Sequence, residues 1–162
     1  MRIVLLAMFS LGLYFSVKSQ DTFQLYDTVF AVGQKQELKN VRYALGGHNQ
    51  LLITDSLMLF QLDSVVQFLK KHIHVSVEIG VHTDHRGSDT MNEKITRFRS
   101  EYIRDYLVYQ GIRSSRITVK GYGESQPIIT EEAINKYNKI DKKKYEILHQ
   151  RNCRTEIKIT AI

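Results

Sequence analysis

The chain has 162 residues, 43% of them hydrophobic and 25% charged, with one proline and one cysteine. That size suits one modest domain of ordinary globular composition; the lone Cys153 excludes an intrachain disulfide framework, and the single proline excludes a proline-rich linker. A formal charge of +6 is mild and gathers in no concentrated stripe, so it does not provide the basic footprint that nucleic acid requires.

The first residues, MRIVLLAMFSLGLYFSVKSQ, read as an export signal. Arg2 gives a short basic start, and the apolar run to Phe15 is too short to span a bilayer comfortably. Ser16, Val17 and Ser19 are small residues at cleavage positions. A cut after Ser19 divides the chain into a signal (1–19), a lead-in (20–36) and one domain (37–162), and removes two positive charges with Arg2 and Lys18. A lipoprotein signal needs a cysteine at the cut, and none is present.

The lead-in has some strand character. Residues 37–45, ELKNVRYAL, predict a strand, which the turn residues GGHN at 46–49 break. A helix is predicted over 54–71, where Leu59, Leu62, Val66 and Leu69 recur at three- and four-residue steps after a cap at Thr54 or Asp55. Residues 74–81, HVSVEIGV, form the cleanest strand pattern, with Val75, Val77, Ile79 and Val81 on one face. The loop DHRGSD follows, with Gly87 available for a positive φ. Ser88, Asp89 or Thr90 can cap a helix over 91–110, which Gly111 is placed to end. RITVKGYG at 116–123 is a short strand. Residues 131–150 are polar and charged, with helical potential but little core-facing pattern; the basic run inside them reads as a solvated surface. RTEIKITAI closes the chain as a strand, alternating Ile157 and Ile159 with Glu156 and Lys158. The order β-α-β-α-β-insert-β predicts an α+β layer, with two main helices on one mixed sheet and a charged segment inserted before the last strand.

Two charged residues stand out. On a helical wheel Phe98, Tyr102 and Tyr106 fall within about 60° of Ile95, and Arg99 falls inside the same stripe at about 40°. An arginine there either snorkels to water or finds an acid. Asp84 follows the best strand, and its loop is short, so it neighbours the early turns of the helix. The two charges can pair with each other. They can also stand apart and hold a zwitterion, the acid taking an ammonium and the arginine forking onto a carboxylate.

Other chemistries find less support. His72, His74, His82 and His85 lack the Cys or Glu-His partners of a metal site. No serine sits in a nucleophile elbow, and GYGES lacks the lysine and helix of a phosphate loop. No metal, cofactor or catalytic activity is expected. Cys153 reads as a small packing residue rather than a reactive thiol.

VEIGVHTDHRGSDTMNEKITRFRSEYIRDYL resembles the core of the OmpA-like C-terminal domain family. His82, Thr83, Asp84 and Gly87 fit its G-H-T-D-x-x-G motif. Asn92, Ile95, Thr96, Arg99, Ser100, Ile103 and Leu107 fit its N-x-x-L-S-x-x-R-A-x-x-V-x-x-x-L run. GIRSSRITVKGYGESQPI and NCRTEIKI resemble later family segments, with Cys153 where the family has its first arginine. The resemblance extends from about residue 37 to the C-terminus. It implies non-catalytic binding of peptidoglycan in the periplasm or at the outer membrane, through the diaminopimelate zwitterion of the stem peptide. Asp84 would take the ammonium and Arg99 the carboxylate, with Thr83 and Arg86 at the same site. Asn92 would sit at the site or brace its loop, and Arg154 would support it. The family's acidic F-D-F-D stretch is here YALGG, without an acid, so a fold that instead docks an envelope protein partner is the alternative. The insert resembles that of Bacteroidetes-type members.

Overall fold

The computed structural model describes residues 22–39, 41 and 56–162. The expected signal, the turn at 46–49 and most of the strand expected over 37–45 lie outside the described residues.

Among the described residues a four-stranded sheet carries the domain. Its strands are β1 (Lys35–Glu37), β2 (Ser76–His82), β3 (Ile117–Gly123) and β4 (Arg154–Ala161), in the order β1-β4-β2-β3. β2 runs parallel to β3 and antiparallel to β4, so the sheet is mixed. Val77, Ile79 and Val81 of β2 and Ile157 and Ile159 of β4 are fully buried, as their alternation predicts. β1 pairs with β4 through Lys35↔Lys158 to Glu37↔Glu156, beginning before the strand expected from residue 37. Leu38 carries that ladder one step further by donating its N–H to Thr155 O at 2.8 Å. The lead-in also joins the core: Phe23 is 2% exposed and packs with Phe30 and Phe68.

Helix α1 (Ser56–Lys71) buries Met58, Leu62, Val65, Val66, Phe68 and Leu69. Its last turn carries Lys70 and Lys71, which suit the negative end of the helix dipole. Arg116, in a 3-10 turn before β3, donates to the carbonyls of Leu69 (2.9 Å), His72 (2.7 Å) and Val75 (2.8 Å). One buried guanidinium thereby gathers the Leu69 carbonyl in the last turn of α1 and the His72 and Val75 carbonyls in the connection to β2.

Helix α2 (Asp89–Tyr109) starts at Ser88, whose side chain accepts from Met91 N. Here the wheel reading is corrected. The buried positions are Asn92, Thr96, Ser100, Ile103 and Leu107, whereas Phe98 is 51% exposed and Ile95, Tyr102 and Tyr106 are half-buried. The cause is a close approach to β3. A Cβ placed on Gly121 would lie 2.3 Å from Arg97 N and 2.7 Å from Arg97 Cα. At that separation only small side chains fit between helix and strand, so the large ones move to the flanks. Thr96 and Ser100 tolerate burial because their hydroxyls donate back to helix carbonyls, Asn92 O and Arg97 O, each at 2.8 Å. Thr96 Oγ1 also accepts from Gly123 N at 3.0 Å, tying α2 to the end of β3.

The charged insert forms α3 (Glu131–Asn135) and α4 (Lys142–Asn152), capped by Thr130 and Asp141. Ile134 is the buried residue of α3; α4 buries His149 and Asn152. Asn152 Oδ1 accepts from Ile128 N and Ile129 N, both at 2.9 Å, and its amide donates to Ile129 O at 2.8 Å. A polar staple thus holds the segment where an apolar face is missing. Among the described residues no helix is long and apolar enough to cross a membrane.

Gly121→Ala tests the close approach. The added methyl meets helix backbone, which cannot rotate aside. A loss of about 3 kcal/mol is expected in urea unfolding, and wild-type stability would contradict the contact.

Candidate ligand-binding site

The sheet delivers three consecutive buried polar residues to one edge: His82, Thr83 and Asp84 are 1%, 9% and 5% exposed. Thr83 N donates to Gly123 O at 2.8 Å, extending the parallel pairing past the end of β2. Its hydroxyl makes no hydrogen bond within the described residues. The chain then turns through Gly87, whose φ of +114° suits glycine, and enters α2.

Asp84 is held on all sides. Arg86 donates its backbone N–H to Oδ1 at 2.9 Å, its Nε to both carboxylate oxygens at 3.1 Å, and its Nη2 to Oδ2 at 2.7 Å. The Cys153 thiol donates to Oδ2 and accepts from Asp84 N, each at 3.3 Å. Burial pulls the carboxyl pKa up, but the hydrogen bonds and charge of Arg86, helped by Cys153, outweigh it and hold Asp84 below its ordinary value. Cys153 is exposed as a residue, but desolvation of its thiol against the Asp84 loop and the Asp84 charge push it up to about 11, so it stays protonated and donates.

Asn92 braces the loop. Its amide nitrogen lies 3.3 Å from both Asp84 O and Arg86 O and 2.5 Å from Glu124 Oε2 at the end of β3. Glu124, with Asp89, Glu93, Lys120 and Tyr122, lines an open cleft of about 530 Å³. Arg99 lies seven residues beyond Asn92, about two turns or roughly 10 Å along the axis, and is half-buried beside the packed face. The loop therefore joins Asp84, Arg86 and Asn92 directly, with Thr83 next in sequence and Arg99 further along α2. Arg154 is engaged with Glu156 Oε1 at 2.6 Å and with the carbonyls of Asn152 and Gln126.

The insert supplies site residues that the sequence reading missed. Glu146 Oε2 accepts from Arg86 Nη1 at 2.9 Å. His149 is fully buried, with Nδ1 3.8 Å from Asp84 Oδ2, and its ring lies against those of His85 and Tyr145. Neither of its nitrogens has a hydrogen-bond partner among the described residues. Burial, then the Arg86 charge, lowers its pKa and favours the neutral ring. The available signal was helical spacing: Glu146, His149 and Cys153 stand three and four apart and share one face. Among the described residues no group of three His, Cys, Asp or Glu side chains could hold a metal ion.

Beside this loop His82 stacks flat on Tyr122, ring centroids 4.6 Å apart, while Tyr122 donates to Glu78 Oε1 at 2.7 Å. Burial, aided by Arg154 and opposed by Glu156, lowers the His82 pKa to about 4.

These features define a mixed α/β domain with a buried, ionised acid just past its central strand. The chain belongs to the OmpA family, whose profile matches residues 59–141. It is 37% identical over 65 residues to outer membrane porin F of Pseudomonas fluorescens, covering 40% of this chain and 20% of that protein. It is 32% identical over 78 residues to the peptidoglycan-associated lipoprotein of Buchnera aphidicola, covering 48% of this chain and 45% of that one. The matches thus span a fifth to under half of these curated relatives, which are proteins of the cell envelope. A MotB-like protein of Desulfovibrio vulgaris shares the fold, with a TM-score of 0.50 at 21% identity over 67% of this chain and 62% of that one. The family resemblance and the expected fold are both borne out.

The depressed His82 pKa gives a pH signature. Unfolded His82 takes a proton near 6.5, whereas the folded residue resists until about 4. Stability is expected to fall by on the order of 2 kcal/mol as the pH drops through that window, with His149 contributing in the same direction. Urea unfolding across pH should show the fall, reduced in His82→Gln; stability rising below pH 6.5 would contradict it.

Proposed function

We propose that this chain is a non-catalytic peptidoglycan-binding module, exported to the periplasm or the outer membrane, that takes the diaminopimelate zwitterion of the stem peptide. Asp84 accepts the ligand ammonium, and Arg99 forks onto its carboxylate. Asn92 holds the loop, and the Thr83 hydroxyl supplies a polar contact. The observation that carries the reading is the Asp84 carboxylate, 5% exposed yet kept ionised, within the family-matched span. The unpartnered Thr83 hydroxyl next to it supports a polar ligand. So does the relative whose name records association with peptidoglycan.

The pairing of Asp84 with Arg86 favours a second reading, a domain that keeps the fold and docks an envelope protein. The two separate on ligand preference: equal affinity for diaminopimelate- and lysine-containing stem peptides would favour docking.

Asp84→Asn and Arg99→Gln are each expected to reduce co-sedimentation of the exported chain with purified sacculi at least tenfold, since a charge-assisted hydrogen bond contributes about 1.5–3 kcal/mol. Thermal unfolding run beside it separates lost binding from lost folding. Folded variants that sediment like the parent would refute the assignment.

A further inference from the structure

We propose that Arg86 is a built-in competitor for Asp84 and that Glu146 receives it on release, so that the pair sets the affinity for any ammonium ligand and leaves simple cations too weak to bind. The inference rests on the reading of Asp84 as the ammonium acceptor.

An ionised carboxylate offers about four acceptor positions. In Asp84 they face the Arg86 backbone N–H, the Arg86 Nε and Nη2, and the Cys153 thiol. A ligand ammonium has no open position until the guanidinium leaves. The order of exposure fits this role: the Asp84 side chain is 6% exposed and that of Arg86 37%, so the cation is the more solvent-facing partner. The backbone N–H and the thiol can stay on the carboxylate when the guanidinium departs, so Asp84 is not stripped bare.

Glu146 gives the released cation a destination. Arg86 Nη1 already donates to Glu146 Oε2 at 2.9 Å, and the Glu146 side chain is 41% exposed. A rotation that keeps Nη1 on Glu146 while withdrawing Nε and Nη2 opens Asp84 without leaving Arg86 unpaired. The two acids sit 62 positions apart in sequence, at the ends of a bridge through Arg86.

The exchange also explains selectivity. Replacing a forked guanidinium by an ammonium trades one cation for another and gives up bidentate geometry. A ligand with only an ammonium therefore gains little. A zwitterion adds a carboxylate contact on Arg99, which the internal competitor cannot supply. Arg86 thus lowers the affinity of every ammonium ligand by the same factor, and a ligand that adds the carboxylate contact still binds where a simple amine no longer does.

Calorimetric titration of the exported chain with diaminopimelate- and lysine-containing stem peptides tests this in the parent, Arg86→Gln, Arg86→Lys and Glu146→Gln. Removing the competitor is expected to tighten the diaminopimelate peptide about tenfold and the lysine peptide by the same factor, leaving the ratio between them unchanged. Arg86→Lys, which keeps the charge without the fork, should fall between, and it stands in if Arg86→Gln fails to fold. Glu146→Gln should weaken binding about threefold by removing the receiver. Parent binding that depends on Asp84, with Arg86→Gln equal to or weaker than the parent, overturns the competitor and leaves the ligand assignment standing. Binding by neither the parent nor Arg86→Gln overturns both.

Discussion

The approach of α2 to β3 at Gly121 is the constraint on which the rest depends. No side chain can stand there, because helix backbone occupies the place of its first carbon. This contact fixes the depth of α2 against the sheet. It makes the buried helix face small and polar at Thr96 and Ser100, and it presents Asn92 to the loop that follows β2. With α2 seated at another height, Asn92 would not reach Asp84 O and Glu124 together, and the loop would lose its brace. The same face carries Arg99 two turns on. The spacing between acid and arginine is therefore a property of the helix–strand contact as much as of the residues themselves.

Polar anchors do work elsewhere that an apolar core does in larger domains. Arg116 gathers three carbonyls between the last turn of α1 and the start of β2, Asn152 pins the connection after β3, and Arg154 ties the start of β4 to Gln126 O in that same connection. Each group is buried, and each finds partners that offset its desolvation. Two of these anchors lie near Asp84, because Asn152 and Arg154 flank the cysteine that touches it, whereas Arg116 holds the opposite end of β2. The insert, stapled in this way, forms one wall of the site.

The elements that alternate were the legible ones. β2 and β4 follow from Val77, Ile79, Ile157 and Ile159, and α1 from its three- and four-residue steps, because burial there is apolar and periodic. The face of α2 was misread because its buried residues are small and polar, a pattern that arises from a glycine on another element twenty-odd residues away. The placement of α4 was hidden for a related reason: its inward face is a histidine and an asparagine, which look like surface residues until their partners are known. The motif around Asp84 and Arg99 drew attention to this loop, whereas the Arg86–Glu146 bridge depends on a contact 60 residues apart that no local motif carries.

The central claim is that Asp84 receives a ligand ammonium in place of Arg86. A crystal structure of the protein with a diaminopimelate-containing stem peptide tests it most directly. The account expects the ligand ammonium within hydrogen-bond distance of the Asp84 carboxylate, its carboxylate on Arg99, and Arg86 withdrawn to Glu146. A bound peptide lying elsewhere, with Asp84 still closed by Arg86, would contradict it.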